Sequence, residues 1–220
     1  MAIAPDFEQK FDEYREHLHD EASRLASYIQ IYRRLHERMA DRLNEINTAP
    51  AFFQVTIDAL FSGIVIWTHK FFDENGERGL FNFLTYIEYS RDALALSELK
   101  RRRQYPTDHW MLDRDPITLS TINDHRKQIR AFGALGSIKL RRDKYHAHFD
   151  KKFFFARNRF ASEAPITWGD LNNAMELVWN IINTYSASFD GKTYAGTPLN
   201  ADDVDHLLDA LHAAKKRRRP

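Results

Sequence analysis

Residues 51–72, AFFQVTIDALFSGIVIWTHKFF, form the most apolar stretch of the sequence. Apolar side chains occur on most faces of a helix drawn through this stretch, so it predicts a helix at the centre of a bundle. Gln54, Asp58, His69 and Lys70 interrupt the stretch, and these polar groups argue against a membrane span. Because an unpaired buried carboxylate is costly, we expect Asp58 to be exposed or ion-paired rather than catalytic.

The preceding segment, from Phe7 to Ile46, has the pattern of one long amphipathic helix. Its apolar residues recur at steps of three or four: Phe7, Phe11, Tyr14, Leu18, Ala22, Leu25, Ile29, Tyr32, Leu35, Met39, Leu43 and Ile46. A straight helix of this length would measure about 60 Å, which exceeds a compact domain. We therefore expect either a bend near His19 and Asp20 or one end that projects toward a partner chain.

Four more helical patterns follow after turn residues. They span about Leu80–Leu99, Leu119–Phe149, Trp168–Ser188 and Asn200–Ala214. Thr118 or Ser120 is expected to cap the second of them, and Thr167 with Asp170 forms an acidic variant of the capping box before the third. Together these patterns predict an all-α fold, an antiparallel bundle of about six helices. Residues 1–214 form a single domain in this prediction, and residues 215–220 form a basic tail.

Charge and cysteine content limit the functions that are open to the chain. Lysine and arginine number 32 against 31 aspartate and glutamate residues, so any attraction to nucleic acid must come from local basic patches. The sequence contains no cysteine, which excludes disulfides and thiolate metal sites and fits a cytoplasmic protein. A signal pattern is not evident at the N-terminus.

Two basic clusters are candidate contacts for RNA. Residues 100–103 (Lys-Arg-Arg-Arg) suit either a phosphate contact or a solvated helix end. Four cations alternate with phenylalanines further on: Lys151, Lys152, Arg157 and Arg159. Cations for phosphate and rings for bases are typical of surfaces that bind single-stranded nucleic acid, although rings beside a bundle also serve as core plugs. We take these four cations as candidate RNA-binding residues.

The densest concentration of reactive side chains lies in Lys139-Leu-Arg-Arg-Asp-Lys-Tyr-His-Ala-His-Phe-Asp150. Arg142 can make two bonds to a phosphate, and His148 is suited to move protons near neutral pH. These are the two groups that metal-free RNA cleavage needs, a base for the ribose 2′-hydroxyl and a cation for the developing phosphate charge. Since no carboxylate cluster with metal-ligand spacing lies nearby, we expect no metal and no cofactor.

Helical geometry separates these two residues. Six residues at 100° each place Arg142 and His148 about 120° apart and about 9 Å along the axis. Arg142 shares a face with His146, and Arg141 shares one with His148, so Arg141 and His146 are second-rank candidates. Convergence would need a helix end near His148, long side chains, or a second motif across a dimer interface. Both histidines could also be structural. Gly133 and Gly136, earlier in the same helix, are expected to let a neighbouring helix come close.

The string Arg142-Asp143-x-x-x-x-His148, late in a long helix of an all-helical chain, resembles the signature of the HEPN superfamily. Its surroundings look most like the abortive-infection, AbiU-like branch, and the resemblance extends over about Ala51–Ser188. It implies a metal-independent endoribonuclease in phage defence or a toxin–antitoxin system. Arg142 would bind phosphate, Asp143 would orient it or cross the dimer, and His148 would be the general acid or base. The resemblance also implies a homodimer whose motif helices line a shared cleft.

The sequence departs from the HEPN pattern at one position and leaves other functions open. Some HEPN toxins carry, two residues after the histidine, a tyrosine that a nucleotidyltransferase partner modifies, whereas this chain has Asp150. Tyr145 could substitute, and an antitoxin is the other expected partner. A non-catalytic HEPN-like module that binds RNA, a nucleotide or a partner protein is the main alternative. A structural protein that dimerises through the Phe7–Ile46 stripe is the third.

Overall fold

Ten α-helices occur in the part of the chain that the computed structural model describes, which is residues 7–146, 150, 153, 159–196, 198 and 200–217. They are α1 (Phe7–Arg38), α2 (Leu43–Ile46), α3 (Pro50–Phe72), α4 (Leu80–Tyr89), α5 (Leu96–Arg103), α6 (Leu119–Arg130), α7 (Leu135–Arg141), α8 (Arg159–Glu163), α9 (Trp168–Asp190) and α10 (Asp203–Arg217). A π-helix (Arg142–His146) continues α7, and 3₁₀ helices span Arg91–Leu94 and Trp110–Leu112. The described residues contain no strand, and the predicted all-α fold is confirmed.

The centre of the bundle is the antiparallel packing of α1 against α3 and α9. Tyr28 of α1 packs edge-on against Trp67 of α3, and the Arg15 guanidinium of α1 bonds both carboxylate oxygens of Asp190 at the end of α9. Fully buried aromatic rings fill the space between the helices, among them Phe11, Phe72, Phe83, Tyr185 and Phe189. The high aromatic content therefore builds one large core, and α6 and α7 pack onto its side.

α1 is a single helix of 32 residues, about 48 Å long, so the long helix predicted from Phe7 to Ile46 ends early, at Arg38. The apolar stripe from Phe7 to Leu35 is buried against this chain's own helices. For that reason the alternative of a structural protein that dimerises through the whole stripe is wrong, although Met39 and Leu43 near the end of the stripe are exposed. The chain reverses after Arg38, where α10 covers the helix end through bonds from Arg34 and Arg38 to Asp205.

Apart from Phe53, α3 is buried only in its C-terminal half, which corrects the prediction that the whole helix is central. Phe52 and Val55 are 58% and 66% exposed, whereas Ile64 and Val65 are fully buried. Asp58 is exposed, as favoured from the sequence, and accepts a hydrogen bond from Gln54. By length and composition α3 could cross a membrane, with a mean hydropathy of 1.5, but the core helix of a bundle passes the same test.

Two predicted helices are divided in the structure. The pattern from Leu80 to Leu99 forms α4, a 3₁₀ helix and α5, and the pattern from Leu119 to Phe149 forms α6, α7 and the π-helix. Gly133 lies in the break between α6 and α7, where the chain leaves helical geometry. A Cβ atom at Gly133 or Gly136 would meet nothing within 4 Å, so the predicted close approach of a helix at these glycines is wrong.

The structure contains the helix caps that the sequence predicts. Thr118 caps α6 through the backbone N–H of Thr121, and Thr167 with Asp170 forms the predicted capping box of α9. α9 ends at Gly191, whose φ of 81° is a left-handed conformation that glycine adopts without steric cost. α10 continues through Lys215 and Lys216 to Arg217, so the first residues of the predicted tail are helical.

Tyr28 of α1 packs directly against the α3 backbone at Gly63, and a side chain there should be destabilising. A Cβ atom at Gly63 would lie 2.7 Å from the Tyr28 ring. Gly63→Leu should lower the free energy of unfolding by about 1–3 kcal/mol because it overpacks the core. Gly136→Ala, which adds a methyl group in open space, should leave it unchanged or raise it by up to about 1 kcal/mol. Urea unfolding followed by circular dichroism measures both, and equal effects would contradict this packing.

Candidate functional site at Arg142

The motif is held in place by the packing of α7 against the buried half of α3. Val65 of α3 contacts Ala134 and Ile138 in a small apolar cluster, and Phe72 stacks on Phe132 with ring centroids 5.0 Å apart. These contacts fix the direction of α7 up to Arg141, the residue before the motif. The position of Arg142 is therefore set by the core.

Arg142 begins a π-helix, in which hydrogen bonds close one residue later than in an α-helix. Such turns are rare and frequently lie at functional sites. The prediction that Arg142 and His146 share a face assumed 100° per residue, and this spacing does not apply within the π-helix. The backbone of His146 is described, but its side chain is not.

The Arg142 guanidinium is held by three side chains. Its Nε donates to Asp143 Oδ1 at 2.6 Å, and Nη2 forms an ion pair with the same carboxylate. Its Nη1 lies 2.8 Å from Nδ1 of His69 and 3.7 Å from Oδ2 of Asp73. The side chain is 29% exposed. Asp143 thus holds the guanidinium from the adjacent position, and His69 of α3 with Asp73 directly after α3 supplies two further contacts.

These contacts leave part of the guanidinium available. Arginine has five N–H donors, and within the described residues three of them are engaged, one through Nε, one through Nη2 and one through Nη1. Two N–H groups remain on a side chain that is partly open to solvent. A planar cation that is fixed in direction and keeps two donors is suited to bind a phosphate group.

His69 is the residue that sequence analysis missed. It was considered only as a polar interruption of an apolar helix, yet it is 4% exposed and contacts the motif arginine. Burial, together with the nearby Arg142 charge, lowers the pKa of His69, while Asp73 and Asp143 act in the opposite direction. The available signal was its spacing from Asp73, since residues four apart lie on one face of a helix.

Arg141, a second-rank candidate, has structural contacts. Its Nε donates to the carbonyl of Ala164 at 2.6 Å and its Nη2 to the carbonyl of Phe160 at 2.9 Å. Its guanidinium also lies over the rings of Phe61 and Phe160. Arg141 therefore ties α8 and Ala164, the residue after it, to α7 and α3.

Several predicted site residues lie outside the described part of the chain: His148, Lys151, Lys152 and Arg157. The convergence of Arg142 and His148 thus stays a prediction. Arg159 is described; its side chain is 47% exposed and pairs with Glu163 one turn later in α8. Among the residues described here, no three histidine, aspartate or glutamate side chains are placed to hold a metal ion.

Residues in and directly after the motif stretch contact one another and α8. Lys144 pairs with Asp150 at 3.1 Å, and Tyr145 packs its ring edge-on against Phe160. Phe153 stacks on Phe160, and both rings are buried. Two phenylalanines of the basic, aromatic stretch are therefore buried packing residues. This is one of the two roles considered for these rings, and contact with RNA bases was the other.

The basic run at the end of α5 is tied down by carboxylates. Arg101 and Arg102 pair with Glu98, and Arg102 and Arg103 reach Glu8 at the start of α1. These contacts connect α5 to the N-terminal end of the bundle. They favour a structural role for this cluster over a phosphate contact.

Comparison with known proteins gives one match. A HEPN family model described as AbiU2 matches residues 8–210, which extends from the first turn of α1 into α10. The match includes the whole stretch from Lys139 to Asp150. No curated protein and no solved structure shows a significant match.

Arg141 and Arg142, although adjacent, should differ in their importance for stability. Arg141→Met would keep the aliphatic stem but remove the donor that the Ala164 carbonyl has from Arg141 and one of the two donors of the Phe160 carbonyl, so it should lower the free energy of unfolding by about 1–3 kcal/mol. Arg142→Met should cost less than half of that, because its carboxylate partners are partly exposed and can be hydrated. Urea unfolding measures both variants. A larger loss for Arg142→Met would contradict the structural assignment of Arg141.

Proposed function

This chain belongs to the AbiU2 family of HEPN proteins, and on that premise we propose that it is a metal-independent endoribonuclease. Its setting would be phage defence by abortive infection, or a toxin–antitoxin system. The observation that carries the proposal is the Arg142 guanidinium, which is fixed by Asp143, Asp73 and His69 and keeps two donors as far as the described residues go. A cation fixed before the substrate arrives costs no reorganisation during the reaction.

The proposed reaction divides the chemistry between Arg142 and His148. Arg142 donates to the non-bridging oxygens of the scissile phosphate and stabilises their developing negative charge. His148 takes the proton from the ribose 2′-hydroxyl. The 2′-oxygen then bonds to phosphorus as the bond to the 5′-oxygen breaks, and a proton delivered to that oxygen completes the step. Asp143 holds the guanidinium in the required plane.

We further propose that the protein acts as a homodimer, since a second motif would supply the imidazole that protonates the leaving oxygen. A patch of exposed apolar side chains supports this association: Met39, Leu43, Phe52 and Val55, each between 37% and 66% exposed. Met39 lies directly after α1, Leu43 lies on α2, and Phe52 and Val55 lie on the largely exposed N-terminal half of α3; these four residues are called the apolar patch below. Apolar and aromatic groups of this kind are typical of the centre of protein interfaces.

RNA and a neutralising protein are the proposed partners in the cytoplasm. Lys151, Lys152, Arg157 and Arg159 would hold the RNA on either side of the scissile bond. The exposed ion pair between Arg159 and Glu163 is worth about 1 kcal/mol or less, so RNA could displace it. The ring of Tyr145 is partly buried against Phe160. An antitoxin that binds the surface is therefore favoured over a nucleotidyltransferase acting on Tyr145.

The purified protein should cleave RNA in the presence of EDTA, and Arg142→Ala and His148→Ala should each reduce the rate by about 10²–10⁴-fold. Lys127→Ala is a matched control, because Lys127 is an exposed cation on α6 whose partner, Asp124, lies on the same helix. Gel analysis of end-labelled RNA measures the rates. A folded parent that cleaves none of several RNAs would favour the non-catalytic module, and cleavage that persists in both variants would refute this site.

Val55→Asp should weaken the dimer at least tenfold, because a charge at a 66% exposed position of the apolar patch would lose water on association. Leu207→Asp is the matched control, since Leu207 is an exposed leucine on α10, outside the patch. Sedimentation equilibrium over a range of concentrations measures both dissociation constants. A monomeric parent would refute the dimer, and equal weakening by both variants would refute this interface.

A further inference from the structure

We propose that His69 is a positioning residue of the HEPN site, which holds Arg142 in the direction that phosphate binding requires. This inference rests on the proposed ribonuclease function and extends the site beyond the motif to α3. Its basis is the 2.8 Å contact between His69 Nδ1 and Arg142 Nη1, across 73 residues of sequence.

The chemistry of the contact fixes the state of the imidazole. A guanidinium can only donate hydrogen bonds, so Nδ1 of His69 must be the acceptor. His69 is therefore neutral when the bond forms, with its proton on Nε2. The bond directs a lone pair of the ring at one end of the guanidinium, while Asp143 holds the other end through Nε and Nη2. Two opposed contacts fix the plane of the group better than either does alone.

A second buried histidine shows what an ordinary structural contact looks like in this protein. His125 is 6% exposed, and its Nδ1 lies 2.9 Å from the hydroxyl of Tyr185 within the main core. That pair satisfies two neutral polar groups and involves no charged partner. His69 instead directs its acceptor at the motif cation, and Asp73, one turn later on α3, lies 3.7 Å from the same nitrogen of Arg142.

His69 positions rather than reacts. Its Nδ1 is engaged by Arg142 and its side chain is 95% buried, so it has no acceptor to offer a ribose hydroxyl. The charged groups that face it are Arg142 and Lys139, which favour the neutral ring, and Asp73 and Asp143, which favour the protonated ring. Protonation would replace the acceptor at Nδ1 with a donor. The bond to Arg142 would then be lost, and Asp73 would become the nearest partner of the ring.

Two substitutions test the hydrogen-bond acceptor of His69 separately from the space that its side chain fills. His69→Asn can place an amide oxygen near the position of Nδ1 and does not titrate, whereas His69→Leu fills similar space without an acceptor. His69→Leu should reduce kcat for RNA cleavage by about 10–100-fold with a small effect on KM, because a displaced Arg142 stabilises the transition state poorly. His69→Asn should recover most of the rate. His125→Leu, the other buried histidine, should leave kcat unchanged in the folded protein.

The double variant tests whether His69 acts through Arg142. In an Arg142→Ala background, His69→Leu should cause no further loss, because the residue that it positions is absent. A loss of the same size in both backgrounds would overturn the proposal, as would a folded His69→Leu protein with full activity. Failure of His69→Asn to recover more activity than His69→Leu would also overturn it.

A measurement without RNA distinguishes failure of this inference from failure of the proposed function. Nuclear magnetic resonance of ¹⁵N-labelled histidine, assigned with His69→Asn, reports the tautomer and pKa of His69. We expect the Nε2–H tautomer and a pKa below 6.5 in the parent, and a higher pKa in Arg142→Met. Lys127→Met should leave both unchanged. A parent that shows this coupling but cleaves no RNA would refute the nuclease and keep the positioning contact, whereas absence of coupling would refute the contact itself.

Discussion

The packing of α3 on two sides at once is the constraint on which the rest of the structure depends. Ile64 faces the main core with α1, and its neighbour Val65 faces α7. Because Gly63 lets the Tyr28 ring come into contact with the α3 backbone, α1 and α3 are held closely together. The direction of α7, and with it the start of the motif, follows from this arrangement. The residue that bonds Arg142 from α3 lies one turn beyond these core positions.

The local pattern of the sequence predicted the helices well because apolar periodicity and capping are local properties. Thr118 and Thr167 cap their helices as expected. The interruption near Gly133 and the end of α1 at Arg38 could not be predicted, since the apolar pattern continues across both. A π-helix changes the angle between successive residues, and the apolar pattern gave no sign of one at Arg142–His146.

Part of the candidate site could be predicted from the sequence, namely the motif residues, but the contact from α3 could not. Arg142 and Asp143 are adjacent, and their pairing needed only local reasoning. His69 lies 73 residues earlier in a segment whose apolar character dominated its interpretation. A polar residue in a buried stretch has a partner as a rule, but the identity of that partner depends on how two helices pack. Sequence periodicity alone does not contain this information. The sequence therefore indicated the motif residues but not His69, which holds Arg142 from α3.

The π-helix at Arg142–His146 carries a consequence for how this chain tolerates changes in length. A π-helical turn holds one residue more than the α-helical turn that it replaces. Loss of one residue within it would let the segment relax to an α-helix without turning the chain that follows, whereas loss of one residue from the α-helical part of α7 would rotate every later position by about 100°. The π-helical turn therefore absorbs a change in length that an α-helical turn would transmit.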